Sequence, residues 1–228
     1  MNDSRLRLLL LVLVSALALT LGFWSFSPAS AVLAFRKCGY LLTLIAFAGL
    51  IFYLWRLARW RSMWIAFCGG GWRVVLFIVV LSGFLHMQDR HGFKVVMDEV
   101  DLLSTSQRLH ETREAARVER GYYLSGTNFV IMQGNLDKRP LFYPFLLSLV
   151  HDLTGYRPEN TFILNALLTP LLLVLVYTVA RRLAGLEAGV TAVLLLATVP
   201  LIIQTATGGG FEVLNLVMIV LTLLLGMI

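Results

Sequence analysis

Three groups of residues in this chain have the types and spacing that chemistry needs. The first is the adjacent pair Asp98 and Glu99, about ten residues beyond an apolar run. On a helix, neighbouring carboxylates cannot both face one point, so one can serve as a base while the other holds a metal, an acceptor or a structural partner. The ordinary alternative is that an acidic pair opening a helix complements the helix dipole. The second group is Asp137-Lys138-Arg139-Pro140-Leu141-Phe142-Tyr143-Pro144, where two cations and a tyrosine precede an apolar stretch. Cations at headgroup depth can hold a lipid phosphate, or simply attract anionic headgroups. The third is Glu212, preceded by Gly208, Gly209 and Gly210 and followed at once by an apolar run. Such a carboxylate is a solvated helix start unless it turns inward toward Asp98.

The elements that must position these residues are set by the bilayer. Of 228 residues, 58% are hydrophobic and 14% charged, and the mean hydropathy is +0.81. That excludes a water-soluble core, because the apolar residues gather in runs long enough to cross a hydrocarbon layer, about 20 residues as a helix. The net charge of +6 comes from clusters flanking these runs, where the positive-inside bias places Lys and Arg. It therefore reports topology and does not point to nucleic acid.

The runs predict three N-terminal crossings within residues 1–88: Leu8 to Phe26, Gly39 to Trp55 and Trp72 to Met87. Arg5 and Arg7 before the first, with Ala29 and Ala31 beyond it, admit a cleaved signal peptide, although a retained anchor explains the long run as well. Arg56, Arg59 and Arg61 belong on the cytoplasmic side. The spacing places Cys38 and Cys68 at opposite ends of one span, so they cannot pair. Gly69 to Gly71 is a flexible break, with no Lys-Ser/Thr after it to make a phosphate loop.

Residues 89–140 carry eight acidic and eight basic residues and form the large extracytoplasmic loop. Within it, Met97 to Arg120 reads as a helix ended by Gly121. Its narrow stripe of Leu102, Leu109 and Ala116 suits a helix lying on the membrane surface. Residues 141–228 then supply a short re-entrant or interfacial segment, Leu141 to Leu153, and spans at Thr161 to Ala180, Ala188 to Ile203 and Val213 to Ile228. Arg181 and Arg182 mark the inner end, so the turn from Gly208 to Glu212 returns to the face that carries Asp98. The expected architecture is an all-α polytopic membrane protein of about six transmembrane helices. The last run ends without a charged flank, which reads as a fragment of a longer protein.

Asn165 and Thr169 inside a span read as interhelical hydrogen-bonding groups, and Pro170 as a tolerated kink. His86, His91, His110 and His151 lack metal-ligand spacing.

From about Leu81 onward, the order of these features resembles the membrane glycosyltransferases of the GT-C fold, in the bacterial branch related to protein mannosyltransferases and aminoarabinose transferases. The landmarks are Asp98-Glu99, Lys138 to Pro144, Glu159-Asn160, Leu164 to Leu168, Ala180 to Gly185 and Leu195 to Pro200. The resemblance implies transfer of a sugar from a polyprenyl-phosphate donor to an acceptor hydroxyl, with inversion, at the periplasmic face of a bacterial inner membrane. It makes Asp98 the general base with Glu99 beside it as the catalytic pair, and places Lys138, Arg139, Tyr143 and Glu212 around the substrate. The partners implied are the polyprenyl-phosphate-linked sugar and membrane lipid, with no nucleic acid. A divalent cation, Mg or Mn, is compatible with this chemistry, and Asp98 and Glu212 are the ligands it would use. Asp101 stands where some relatives carry arginine, and Glu212 where they commonly present aspartate. The competing class is a non-enzymatic transporter half or an assembly subunit for envelope polysaccharide, for which the nearly charge-free spans give little support.

Overall fold

A computed structural model of the chain describes residues 3–20, 22, 27–59, 71–124 and 128–227. Nine helices and one hairpin follow in order among them: α1 (Asp3–Thr20), α2 (Pro28–Arg59), α3 (Gly71–Gln88), α4 (Val96–Thr112), β1 (Arg117–Leu124), β2 (Asn128–Asn135), α5 (Phe142–Thr154), α6 (Asn160–Ala184), α7 (Leu186–Ala197), α8 (Pro200–Thr207) and α9 (Glu212–Gly226). Cys68 and the break at Gly69 and Gly70 lie outside the described residues.

About six crossings are expected from the apolar runs. Two helices are long and apolar enough to cross a membrane: Pro28–Arg56, of 29 residues, and Asn160–Ala184, of 25. Leu186–Ala197 and Pro200–Thr207 add a third if taken as one span, but they are bent by 72° where one straight run is expected. Pro200 is the reason: it has no N–H for the carbonyl four residues back, and its ring clashes with that turn. It therefore starts a new helix, with Val199 in extended backbone as its cap. Leu8–Thr20, Trp72–Gln88 and Glu212–Gly226 are apolar but shorter.

The loop departs from expectation in two ways. Its helix ends at Thr112, not Arg120, because Arg113 enters the left-handed region at φ 58° and its N–H closes on the Leu109 carbonyl. Ala115 then donates its N–H to the carbonyl of Arg36 in α2 at 2.8 Å, taking the backbone off the helical path. The residues beyond, rich in Val, Tyr, Phe and Ile, pair as the antiparallel hairpin β1–β2, so the chain is largely helical but not all-α. The stripe of Leu102, Leu109 and Ala116 is 1%, 0% and 0% exposed, and thus faces protein.

α6 is the central post. Leu164, Leu168 and Leu172 join Leu102 of α4, Tyr143 of α5 and Val213 of α9 in the main apolar cluster. Its other side, through Leu173 and Tyr177, packs on Ile78 of α3 and Val193 of α7. α2 stands apart, with only 6% of its spanning window buried. It is fastened about its middle, where Tyr40 and Phe47 meet Phe145 at 5.5 and 5.8 Å between ring centres.

Candidate functional site

The adjacent carboxylates of α4 diverge, as one helical step requires. The side chain of Asp98 is 57% exposed and ion-paired to Arg139. Glu99 is 5% exposed, and its Oε2 accepts the N–H of Lys94 at 2.7 Å. Burial raises its pKa; the backbone N–H groups of Lys94, Gly209 and Val95 oppose this, and the charge of Glu212 adds to it.

Arg139 is heavily engaged. Besides Asp98, its Nη1 reaches Asp101 and Asp137, each at 2.9 Å, and its side chain is 12% exposed. Asp101 is shared with Arg117 at 2.9 Å, which ties the base of the hairpin to the same network. The arginine's pKa is raised, first by the bond to Asp98. The cation expected to meet a lipid phosphate is thus already surrounded by carboxylates, whereas Lys138 is exposed and has no hydrogen bond or ion pair among the described residues.

Tyr143 is 1% exposed, with its hydroxyl 2.9 Å from Thr161 Oγ1 and donating to the Gly209 carbonyl at 3.2 Å. It lies under the site and is not exposed to the water side. Glu212 opens α9 as an exposed residue, and its carboxylate folds back over Gly210. The buried turn Gly208–Gly210 joins it to Glu99, because a methyl on Gly208 would come within 3.1 Å of Glu99 Oε1. The α3–α4 and α8–α9 loops also meet through Gly92 N–H on the Thr207 carbonyl at 3.2 Å and Thr207 Oγ1 on Asp89 at 3.3 Å.

The carboxylate that approaches Glu212 is therefore Glu99, while Asp98 faces Arg139. A divalent ion held by Asp98 and Glu212 does not fit this arrangement, since a guanidinium occupies the Asp98 carboxylate. Among the described residues no group of three or more His, Cys, Asp or Glu could hold a metal.

Asp101 and Asp137 carry ion pairs, and Thr161 a hydrogen bond, that the sequence reading did not assign to them. The hint for Thr161 was available: with Asn165 it places polar atoms one turn apart on an otherwise apolar span. For Asp137 the signal is local, two residues before Arg139; for Asp101 none exists, because Arg117 and Arg139 are reached only through the folded loop.

Residues 138–228 match the family model described as dolichyl-phosphate-mannose-protein mannosyltransferase, a stretch that begins at Lys138 and runs through α5 to α9. No curated protein and no solved structure matched the chain. Asp98 and Glu99 precede the matched stretch and reach it through Arg139 and the Gly208–Gly210 turn. The family match, with a largely helical architecture containing membrane-length apolar helices, supports a GT-C-like glycosyltransferase role for this chain at the superfamily level.

Proposed function

We propose that this chain transfers a sugar from a polyprenyl-phosphate donor to an acceptor hydroxyl at the extracytoplasmic face of a bacterial inner membrane. The observation that carries the reading is the convergence of both outer loops on one end of α6. There the acidic opening of α4 meets the family-matched segments containing Arg139, Tyr143 and Glu212.

Asp98 is the proton acceptor. Its carboxylate is the exposed member of the pair, so an acceptor hydroxyl arriving from water can reach it. As the hydroxyl oxygen attacks the anomeric carbon, its proton passes to Asp98, and the bond from that carbon to the phosphate oxygen breaks. The electron pair leaves with the phosphate, and the anomeric configuration inverts. Lys138 offers an unpaired ammonium to the charge developing on that phosphate. Arg139 orients Asp98 before transfer, and can release it on protonation because Asp101 and Asp137 still hold the guanidinium. Glu99 is placed as structure and charge, since its carboxylate is buried against backbone N–H groups.

Membranes carrying the complete gene, given labelled polyprenyl-phosphate sugars, test this directly. Asp98→Asn is expected to lower transfer about 100-fold or more, the range for loss of a general base. Lys138→Ala is expected to lower it roughly 10- to 100-fold. Undiminished transfer in both variants ends the assignment.

A further inference from the structure

The turn Thr207–Gly210 is buried although it links two membrane-type helices, so its backbone polar groups need partners inside the protein. They find them in one place. Asn165 of α6 is fully buried and donates through Nδ2 to the carbonyls of Gly208 at 2.9 Å and Gly210 at 3.0 Å. Between these, the Gly209 carbonyl accepts from Thr161 Oγ1 at 3.1 Å and from the Tyr143 hydroxyl at 3.2 Å. Three successive carbonyls are thus fastened from α5 and α6. On the other side, the Gly209 N–H meets the Glu99 carboxylate.

Side chains are excluded from the turn at every step. A methyl at Gly208 would sit 3.0 Å from the Gln204 carbonyl, and one at Gly209 would sit 2.9 Å from the Phe93 ring. At Gly210 it would fall on the Glu212 carboxylate. The glycine triplet therefore serves close approach: it lets α4, α6 and the head of α9 converge with only backbone between them.

We propose that Asn165 is a positioning residue that, through its two hydrogen bonds to the glycine turn, sets Glu212 against Glu99 and so fixes the spacing of the two outer loops. The catalytic part of this proposal rests on the transferase reading; the structural part does not. Asn165 touches no substrate. It acts at the floor of the site, holding the turn on which one loop's carboxylate and the other's are both seated. Tyr143 and Thr161 are its auxiliaries on the central carbonyl.

The test uses the full chain in membranes with Cys38 and Cys68 replaced by serine. Asp89→Cys and Thr207→Cys form the reporter pair, because the Thr207 hydroxyl already lies 3.3 Å from the Asp89 carboxylate across the two loops and neither change adds a side chain to the glycine turn. Oxidation is expected to cross-link this pair readily, and Asn165→Leu to slow cross-linking roughly five- to tenfold, in line with two lost hydrogen bonds in a membrane interior. Asn165→Gln, which keeps the donor, is expected to recover most of the rate. Thr161→Val, a smaller change, gives an intermediate loss and covers the case in which Asn165→Leu fails to accumulate. Cross-linking that is indifferent to both Asn165→Leu and Thr161→Val overturns the proposal.

Transfer assays on the same substitutions without the reporter pair supply the catalytic half. Asn165→Leu is expected to lower kcat while leaving donor KM unchanged, and Asn165→Gln to recover most of the kcat. A rise in donor KM alone, with kcat unchanged, removes the positioning role. If the wild-type chain transfers no sugar yet cross-linking responds as expected, the transferase reading fails and the latch stands. If transfer proceeds and cross-linking is indifferent, the reverse holds.

Discussion

Arg139 shows what a single side chain can do when three acids surround it. Its Nη groups join Asp98, Asp101 and Asp137, and the Asp137 side chain is only 6% exposed. Removing the guanidinium leaves Asp101 and Asp137, 20% and 6% exposed, facing one another with little water to screen them, the situation in which a partly buried ion network becomes a liability. Arg139→Ala is expected to lower stability by about 3 kcal/mol, read as a drop in detergent-solubilised Tm. Adding Asp137→Asn to it is expected to restore part of the loss. Equal Tm values for wild type and Arg139→Ala would show that the network is merely superficial. The divergence of Asp98 and Glu99 follows from helix geometry and is legible in the sequence. What each one meets is not, because Arg139 and Gly209 lie 41 and more than 100 positions away.

At the level of elements, the seam where α4, α5 and α6 meet is closed by a buried histidine. His151 is fully buried, with Nε2 3.1 Å from Ser106 Oγ of α4 and Nδ1 2.8 Å from Asn160 Nδ2 of α6. Asn160 Nδ2 also donates to the Gly155 carbonyl, so it is a donor toward His151, Nδ1 is the acceptor, and Nε2–H donates to Ser106. Ser106 in turn gives its proton to the Leu103 carbonyl at 2.7 Å. The chain of donors closes only for neutral imidazole, and burial, with nearby His110, lowers the pKa to about 4. An unfolded His151 titrates near 6.5, so between about 6.5 and 4 the unfolded chain binds the extra proton. The contribution to stability is whole above pH 6.5 and falls as pH drops toward 4, with a ceiling of about 3 kcal/mol. Thermal unfolding at pH 7.5 and pH 4.5 checks this: wild type should lose more Tm on acidification than His151→Gln. Identical slopes would mean that other groups set the acid sensitivity.

For the whole molecule the decisive quantity is sidedness. The α3–α4 and α8–α9 loops are joined by Gly92 to Thr207 and by Glu99 to the glycine turn, while the α6–α7 junction near Arg181 and Arg182 lies at the far end of a 25-residue helix. An impermeant maleimide applied from outside is expected to label cysteines placed at Met97 and Lys138, but not at Leu183, in a background lacking Cys38 and Cys68. All three positions are exposed, so access and not burial decides the result. Labelling of Met97 and Leu183 from the same side would contradict the shared outer face. α2 belongs to this scale too. Its spanning window is only 6% buried, yet Arg36 pairs with Glu114 at 3.0 Å and Arg113 lies over the Tyr40 ring at 4.9 Å. The membrane helix thus holds the end of α4 where the hairpin begins.

The sequence by itself determined the solvent of this protein and the rough positions of its apolar helices, because hydropathy and length act locally and need no partner. α6 from Asn160 to Ala184 and the short α5 from Phe142 to Thr154 fall close to the runs that predicted them. It also placed Asn165 as a hydrogen-bonding group within a span. Only the tertiary structure decided the rest. A long helix through Arg120 was the reasonable local reading of an uninterrupted stretch, but Arg113 is drawn into the left-handed region where Asp152, at 2.8 Å, and Tyr40, at 3.1 Å, hold its side chain. Likewise, whether Glu212 would face Asp98 or Glu99 depended on where the Gly208–Gly210 turn comes to rest. That is fixed by Asn165, Thr161 and Tyr143, residues 43 to 66 positions away in the chain. Local propensity cannot encode such contacts, since each gains its energy only after the helices carrying its two halves have packed.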